Sequence, residues 1–259
     1  MLTIHHISFA DSNFKNAQSL NCRSALQHGC TSTTAYGPGD IDTDFRKKND
    51  EIFSQKKGAG LWLWKPYLTM KTLNSLEDNE ILIYTDAATL FINNVTPLAK
   101  LVSVTSPILC FCLKFPEYMY TKRELFEHLD AQKHNKSSQR LASFYVILNC
   151  RESREFVDIW LRLSQDKKLI DDTLSLDQEK TFIAHRHDQS IFSLLTKING
   201  YKCYRDPSQY GNDEILSADL YPQIFYHHRG NRLIMWHKHR KEFKNFSKAL
   251  MDKFKKCKK

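Results

Sequence analysis

One stretch of the sequence decides the fold: Ile81-Leu82-Ile83-Tyr84-Thr85-Asp86-Ala87-Ala88. An apolar run of this length, bounded by polar residues, predicts a buried strand over residues 80–86. Asp86 then lies at the carboxyl end of the strand, where open α/β sheets place the groups that face a ligand crevice. A strand-end Asp can also cap the turn that follows, so the position alone leaves both interpretations open.

Helical and extended patterns alternate on both sides of this strand. Extended patterns occupy residues 3–9, 32–36, 108–113, 143–148, 201–204 and 225–229. Helical patterns occupy residues 14–28, 40–55, 66–76, 122–130, 151–163 and 187–198, with a short helix opening at Pro97 and a polar loop over 166–180. This alternation predicts an α/β fold with a mostly parallel sheet and helices on both faces. We expect one domain over residues 1–236 and a separate basic tail over 237–259.

Composition excludes several classes of protein. With 259 residues and 41% hydrophobic content, the chain can bury a full core. No window approaches the roughly 18 to 20 apolar residues of a transmembrane helix, and residues 1–7 resemble a first strand more than a signal peptide. The seven cysteines form an odd set without a C-x-x-C pair, which argues against a zinc ribbon and a disulfide framework. The sequence therefore predicts a protein of the reducing cytoplasm.

The basic charge is concentrated in the tail. Residues 238–259 hold ten Lys or Arg and two acidic residues, so almost all of the net charge of +9 lies there. Four apolar residues fall on one stripe of a helix over this segment: Phe243, Phe246, Leu250 and Phe254. That pattern is typical of a basic amphipathic helix on an anionic membrane surface. A helix docked on the domain and a nucleic-acid-binding tail remain alternatives.

The segment over residues 58–66 is unusual for a surface loop: Gly58-Ala59-Gly60-Leu61-Trp62-Leu63-Trp64-Lys65-Pro66. Pro66 suits the first turn of a helix, and Lys65 at that helix N-terminus could meet a phosphate or sugar oxygen. Trp62 or Trp64 could stack on a base or sugar ring. The alternative is that both Trp side chains are core anchors and that Lys65 is exposed.

Two later segments carry further candidate residues. Asp188 and Gln189 open a helix in His185-Arg186-His187-Asp188-Gln189-Ser190. Asp188 could accept a proton from an acceptor hydroxyl or orient a sugar, and alternatively it could serve only as a helix N-cap. The two His residues give no credible four-ligand zinc site. In Phe225-Tyr226-His227-His228-Arg229-Gly230, His228 could bind a metal or phosphate and Arg229 could clamp a charge. In a strand only one of His227 and His228 faces the crevice, and a purely structural role for this segment is the alternative.

Together these segments resemble a family of small bacterial and viral glycosyltransferases with the GT-A fold. The shared patterns are G-x-G-x-W-x-W-K-P, a strand-end Y-x-D-A and H-x-D-Q-S, over roughly residues 20 to 230. Relatives with this fold often carry Asp-x-Asp at the strand end, whereas this chain has Tyr84-Thr85-Asp86. The resemblance implies a GT-A-like fold and a nucleotide-sugar-dependent hexosyltransferase.

The resemblance also implies a role for each site residue. Asp86 and Asp188 are the expected catalytic residues, and Asp188 and Gln189 line the acceptor side. The expected donor and phosphate ligands are Lys65, Trp64, Trp62, Asp86, His228 and Arg229. Mn²⁺ or Mg²⁺ would be held by Asp86 and His228. The carboxylate oxygen suits these hard cations, which often bind through substrate phosphates, and a neutral His is a common metal ligand.

The expected partners are a nucleotide-sugar donor and a glycan or lipid-linked glycan acceptor, in the synthesis of a surface polysaccharide or lipid-linked oligosaccharide. We expect a cytoplasmic enzyme that lies on the inner face of the membrane through residues 238–259, with no specific nucleic-acid partner. Two alternatives stay open: a nucleic-acid-binding protein that acts through the Lys-rich tail, and an inactive transferase fold that binds glycans, since the first Asp of the strand-end pair is absent.

Overall fold

The structure is a computed structural model that describes residues 2–214 and 220–228. The chain divides into two units, Met1–Tyr226 and His227–Lys259. Of the second unit only residues 227–228 are described. The predicted tail helix and the predicted boundary at residue 236 lie outside the described residues, and both stay predictions.

The strands of the described residues are β1 (Ile4–Phe9), β2 (Ser32–Tyr36), β3 (Ile81–Thr85), β4 (Thr89–Phe91), β5 (Ile108–Pro116), β6 (Ser138–Arg140), β7 (Phe144–Leu148), β8 (Cys203–Tyr204) and β9 (Phe225–His227). A seven-stranded sheet has the order β2-β1-β3-β7-β5-β6, with β8 paired to β5, while β4 and β9 form a two-stranded sheet. Strands β1, β2 and β3 are parallel, and β7 is antiparallel to both β3 and β5. Five of the seven strands therefore run in the same direction, because only β6 and β7 are reversed.

The α-helices of the described residues are α1 (Lys15–Gln27), α2 (Thr43–Lys48), α3 (Asp50–Phe53), α4 (Gly58–Leu61), α5 (Trp64–Leu73), α6 (Thr96–Ala99), α7 (Arg123–His128), α8 (Arg151–Ser164), α9 (Lys167–Ile170) and α10 (His187–Ile198). None of these helices is long and apolar enough to cross a bilayer.

Two hydrophobic cores cover the two faces of the sheet. All five residues of β3 and all five of β7 are buried. Leu82 and Tyr84 belong to one core, which also contains Leu68 of α5 and Trp160 of α8. Ile81 and Ile83 belong to the other core, with residues of α1 and α6. Since side chains alternate across a strand, burial of every position requires cover on both faces. The structure confirms the predicted α/β fold with helices on both faces.

Three local predictions were incomplete. The single helix expected over residues 40–55 is divided into α2 and α3 at Asn49, which leaves helical geometry at φ −116° and ψ 29°. The polar loop expected over 166–180 contains α9. Strands β4 and β6 have three residues each, which is too short for a periodic signal in the sequence.

The prediction against disulfides was wrong for one pair of cysteines. Cys112 of β5 and Cys203 of β8 form a disulfide with a Cα–Cα distance of 5.7 Å. The two residues are 91 positions apart in sequence, and only the pairing of β5 with β8 makes them neighbours. Among the described residues, the cysteines at 22, 30, 110 and 150 are free and buried. The cysteine pattern therefore gives no support to a reducing compartment.

Candidate active site at the carboxyl end of β3

A left-handed turn precedes the site. Residues 58–62 all have positive φ: 59°, 51°, 99°, 52° and 61° in order. This geometry costs roughly 1–2 kcal/mol for each residue with a side chain, and such strain persists only where neighbouring structure enforces it. A Cβ on Gly60 would lie 2.7 Å from Cδ1 of Phe53, and a Cβ on Gly58 would lie 2.3 Å from the Trp62 ring. The two glycines are therefore required by space as well as by backbone geometry.

Two hydrogen bonds connect the turn to the first residues of α5, among them Lys65. The indole Nε1 of Trp64 donates to the Gly58 carbonyl oxygen at 2.9 Å. The backbone N–H of Lys65 donates to the Trp62 carbonyl oxygen, also at 2.9 Å. These bonds fix the direction in which the Lys65 side chain leaves the backbone.

Lys65 joins the residues that the sequence placed in three separate segments. Its Nζ lies 3.2 Å from Oδ2 of Asp188 and 3.6 Å from Oδ1 of Asp86. Nζ also donates to the Ala142 carbonyl oxygen at 3.1 Å. Only 4% of the Lys65 side chain is exposed, so the alternative of an exposed lysine is wrong. The structure brings Lys65, Asp86 and Asp188 together as one cluster.

Burial and charge act in opposite directions on the pKa values of this cluster. Burial raises the pKa of the Asp188 carboxyl to about 6, against the attraction of Lys65. Burial alone would lower the pKa of the Lys65 ammonium, but Asp188 and Asp86 outweigh it and the pKa is raised. Lys65 is therefore charged at neutral pH, and Asp188 changes its charge within a physiological range. Asp188 is also not the helix N-cap, since Arg186 holds that position.

The two oxygens of Asp86 have different surroundings. Oδ1 accepts a hydrogen bond from the Tyr84 hydroxyl at 2.6 Å and is the oxygen nearest to Lys65 Nζ. Oδ2 has no hydrogen-bond partner among the residues that the structure describes. The side chain is 36% exposed, whereas the Asp188 side chain is buried. Asp86 therefore has, on a partly exposed side chain, one oxygen that takes no hydrogen bond from the described residues.

Tyr84 is a residue of the site that the sequence analysis did not select. Its ring stacks on Tyr145 with centroids 5.0 Å apart, and Lys65 Nζ lies 5.1 Å from the ring centroid. Burial and the neighbouring Asp86 carboxylate hold the pKa of Tyr84 well above its usual range. The available signal was its position two residues before Asp86, which places both side chains on the same side of a strand.

The two tryptophans occupy different environments. Trp64 is 5% exposed and its ring stacks on Phe9 with centroids 3.9 Å apart. This geometry favours the core-anchor interpretation for Trp64. Trp62 is partly exposed and stacks on the His187 ring at 5.2 Å. Of the two rings, Trp62 retains surface that a base or sugar could cover.

Gln189 is bonded at both ends of its amide. Its Oε1 accepts a hydrogen bond from the Ala142 N–H at 3.1 Å, and its Nε2 donates to Oε1 of Gln139 at 3.0 Å. Lys65 binds the carbonyl oxygen of the same Ala142. The backbone of Ala142, which lies two residues before β7, therefore connects α5 to α10. No sequence signal identified Gln139 or Ala142.

The nearby histidines bind backbone carbonyl groups. Nε2 of His185 donates to the Leu169 carbonyl oxygen at 2.9 Å, and Nδ1 of His187 donates to that of Ile170 at 2.7 Å. Burial lowers the pKa of both imidazoles, so both are neutral. His228 belongs to the second unit and stays a predicted metal or phosphate ligand. Arg229 lies outside the described residues and likewise stays a prediction.

No protein-family profile and no curated protein sequence matches this chain. Its structure is similar to that of the bifunctional glycosyltransferase WbbM, with a TM-score of 0.54 and 9% identity over 89% of this chain and 46% of WbbM. Mouse xyloside xylosyltransferase 1 gives a TM-score of 0.51 and 10% identity over 90% of this chain and 100% of that protein. An active-site mutant of LgtC gives a TM-score of 0.50 and 14% identity over 88% of this chain and 88% of LgtC.

These similarities concern the fold. This chain spans less than half the length of WbbM. At identities of 9 to 14%, the shared architecture is the finding, and the activities of these proteins do not pass to this chain. The comparisons confirm the predicted GT-A-like glycosyltransferase fold.

Proposed function

We propose that this protein is a glycosyltransferase that moves a hexosyl group from a nucleotide-diphosphate sugar to a glycan acceptor. The observation that carries the proposal is the buried Lys65 ammonium beside two carboxylates, at the carboxyl end of a central strand. One carboxylate, that of Asp188, would be enough to neutralise the buried Lys65 ammonium. The second carboxylate, that of Asp86, is partly exposed and adds negative charge at the edge of the sheet, where a ligand could bind it. The glycosyltransferase fold supports the same conclusion.

The donor side of the reaction needs positive charge. As the bond between the anomeric carbon and the diphosphate breaks, the electron pair goes to the phosphate oxygen, and cationic groups stabilise that charge. We assign this role to Lys65, with His228 and Arg229 as the predicted further ligands. Trp62 is the proposed stacking surface for the base or a sugar.

Asp188 is the proposed group on the acceptor side, together with Gln189. A carboxyl with a pKa of about 6 is ionised at pH 7 and basic enough to accept a hydroxyl proton. In an inverting reaction Asp188 takes the proton of the acceptor hydroxyl, and in a retaining reaction it orients the sugar. The contact with Lys65 holds the carboxylate in place in either case.

The residues present fit a divalent cation that binds mainly through substrate. Among the described residues, no group of three or more His, Cys, Asp or Glu side chains could enclose a metal ion. Asp86 nevertheless has one oxygen that takes no hydrogen bond from the described residues, and Mg²⁺ is often bound by one or two carboxylates plus phosphates and waters. We propose that Asp86 holds Mn²⁺ or Mg²⁺, and the role of His228 as a metal ligand stays a prediction from the sequence. When bound, the ion neutralises charge on the diphosphate.

The acceptor class is proposed from the tail. Residues 238–259 have the composition of a helix that binds anionic lipid surfaces. An enzyme that glycosylates a lipid-linked glycan gains from lying at such a surface. We therefore propose a lipid-linked or surface polysaccharide acceptor and a peripheral position on the inner face of the membrane.

The test is donor binding followed by turnover. Thermal shifts of the purified protein with UDP, GDP, CMP and their sugar conjugates, with and without MnCl₂, identify the donor, because a ligand of the folded state raises the melting temperature. Donor hydrolysis and transfer are then measured for Asp86→Ala and Asp188→Ala. We expect both variants to fold and to lose at least a hundredfold in rate. Asp158→Ala, which removes an exposed carboxylate on α8, is the matched control.

The outcomes separate the proposal from its alternatives. Near-normal turnover in either variant contradicts the role of that residue. A protein that binds a donor but never turns over is the inactive glycan-binding alternative. A protein that binds none of the donors contradicts the proposed donor site.

A further inference from the structure

The Asp86 carboxylate is held from one side only. Its Oδ1 receives the Tyr84 hydroxyl and faces Lys65 Nζ, while Oδ2 has no partner among the described residues. The backbone on either side is also fixed, since the Asp86 N–H donates to the Ser143 carbonyl oxygen at 2.8 Å and the Thr89 N–H donates to that of Asp86 at 3.0 Å. With the backbone fixed, the side-chain torsions alone decide which oxygen is available to a ligand.

We propose that Tyr84 is the positioning residue of this site: its hydroxyl holds Oδ1 of Asp86 inside the protein and leaves Oδ2 for a divalent cation bound to a diphosphate. This inference rests on the proposed function, because it concerns the same donor site. Tyr84 does not touch the ligand itself and acts through Asp86.

A phenol suits this role because it is a neutral donor. The Tyr84 hydroxyl donates to Oδ1 of Asp86 at 2.6 Å, so Asp86 is the acceptor of this bond. A carboxylate at this position would add negative charge next to Asp86 and could not donate a hydrogen bond while ionised. Because Tyr84 is neutral, the positive charge of the cation would be balanced by Asp86 and the diphosphate alone.

The Tyr84 ring is itself fixed by packing that leads back to α5. The ring is stacked on Tyr145, whose hydroxyl lies 2.6 Å from Oγ1 of Thr69. Thr69 Oγ1 donates to the Lys65 carbonyl oxygen at 2.8 Å, so Tyr145 is the donor to Thr69. Tyr145 therefore supports Tyr84 through its ring, which Phe would retain, while its hydroxyl bonds Thr69 and not Tyr84.

The test compares two buried hydroxyl deletions. Tyr84→Phe removes the bond to Asp86 and keeps the stacked ring, and Tyr145→Phe is the matched control, since it removes a neighbouring buried hydroxyl that does not contact Asp86. The probe is Mn²⁺ with inorganic pyrophosphate, which needs no knowledge of the base, and the readout is the electron paramagnetic resonance signal of free Mn²⁺. Melting temperatures of the unliganded variants establish that both are folded.

We expect Tyr84→Phe to weaken Mn²⁺–pyrophosphate binding by about tenfold or more, as for the loss of a hydrogen bond to a charged group. Tyr145→Phe should stay within about twofold of the wild type. Excess Mn²⁺ should restore occupancy in Tyr84→Phe, because the Asp86 ligand is still present, and should not restore it in Asp86→Ala.

The remaining results would contradict either the positioning role of Tyr84 or the donor site itself. Unchanged binding in Tyr84→Phe, or equal losses in both Phe variants, overturns the positioning role and leaves the donor site intact if Asp86→Ala fails to bind. Wild-type binding in Asp86→Ala, or no binding by the wild type, contradicts the donor site itself and with it the role of Tyr84.

Discussion

At the scale of single residues, the site depends on a lysine that is buried with an excess of negative charge. Two carboxylates lie within 3.6 Å of the Lys65 ammonium, so the cluster carries a net charge of −1 when all three groups are ionised. Removing Lys65 would leave the buried Asp188 carboxylate without its cation, and breaking a buried ion pair in this way costs about 3–5 kcal/mol. The cluster therefore affects folding as well as chemistry, and the two effects can be separated by pH.

Asp188 should make folding stability depend on pH. Its pKa is about 6 in the folded protein and 3.8 as a free side chain, so the folded state binds the proton more tightly. The stabilisation is fully present below about pH 4 and is lost as the pH rises through 6; the difference corresponds to about 3 kcal/mol. Asp188→Asn removes this dependence. The measurement is urea unfolding of both proteins from pH 4 to pH 8.

We expect the free energy of unfolding of the wild type, relative to Asp188→Asn, to fall by about 3 kcal/mol between pH 4 and pH 7. Asp158→Asn, at an exposed position of α8, is the control and should show no such trend. A difference that is constant with pH would mean that Asp188 titrates normally in the folded protein.

The sequence predicted part of this cluster. Lys65, Asp86 and Asp188 were selected because each stands at the end of a strand or the start of a helix, where polar groups converge. Tyr84 was not selected, although its position two residues before Asp86 was an available signal, and Gln139 lies in the short strand β6, which carries no local signal. Their roles arise from contacts between residues far apart in sequence, such as that between Gln139 and Gln189.

At the scale of elements, the turn over residues 58–62 determines where Lys65 lies. The sequence predicted a break at the glycines and a helix after Pro66, and α5 confirms the helix. The left-handed geometry was not predictable, because Ala59, Leu61 and Trp62 all disfavour it. Packing against Phe53 and the bond from Trp64 to Gly58 enforce it.

Gly60→Ala should destabilise the protein and weaken the site. The new Cβ would lie 2.7 Å from Cδ1 of Phe53, and 3.1 Å from its Cα, which cannot move as a side chain can. With a φ of 99°, we expect a loss of about 1–3 kcal/mol in the free energy of unfolding. Urea unfolding measures this loss, and donor turnover measures the displacement of Lys65.

Gly39→Ala is the matched control, because nothing lies within 4 Å of the Cβ that it would add. It should leave stability within about 0.5 kcal/mol of the wild type. Equal stability of the two variants would show that the turn is not constrained as described.

At the scale of the whole molecule, the alternation of helical and extended patterns was sufficient to predict an α/β fold with two covered faces. The reversal of β6 and β7 was not predictable, because the direction of a strand depends on how the chain returns to the sheet. The disulfide between Cys112 and Cys203 was not predictable either, because the two cysteines are neighbours only through the pairing of β5 with β8.

The tail yields a prediction for the whole chain. Deletion of residues 238–259 removes ten of the 38 Lys and Arg residues. Each basic residue near an anionic surface contributes about 1 kcal/mol to membrane binding, and salt screens this attraction. We expect the full chain to sediment with vesicles that contain phosphatidylglycerol and the truncated chain to stay in the supernatant.

Vesicles of phosphatidylcholine alone are the control and should bind neither protein. Unchanged vesicle binding after the deletion would remove the membrane part of the proposal. Salt-sensitive binding of the tail to RNA, without binding to vesicles, would favour the nucleic-acid alternative.

The turn over residues 58–62 also limits how this chain can change over generations. Every single-base substitution in a glycine codon that replaces glycine by another amino acid adds a Cβ, and at position 60 each would meet Phe53. A smaller residue at position 53 would remove the contact with the ring, but the contact with the Cα of residue 53 and the φ of 99° would remain. A lineage can therefore lose Gly60 only if the backbone of the turn shifts as well. A descendant without Gly60 would also need a different backbone arrangement to place Lys65 beside Asp86 and Asp188.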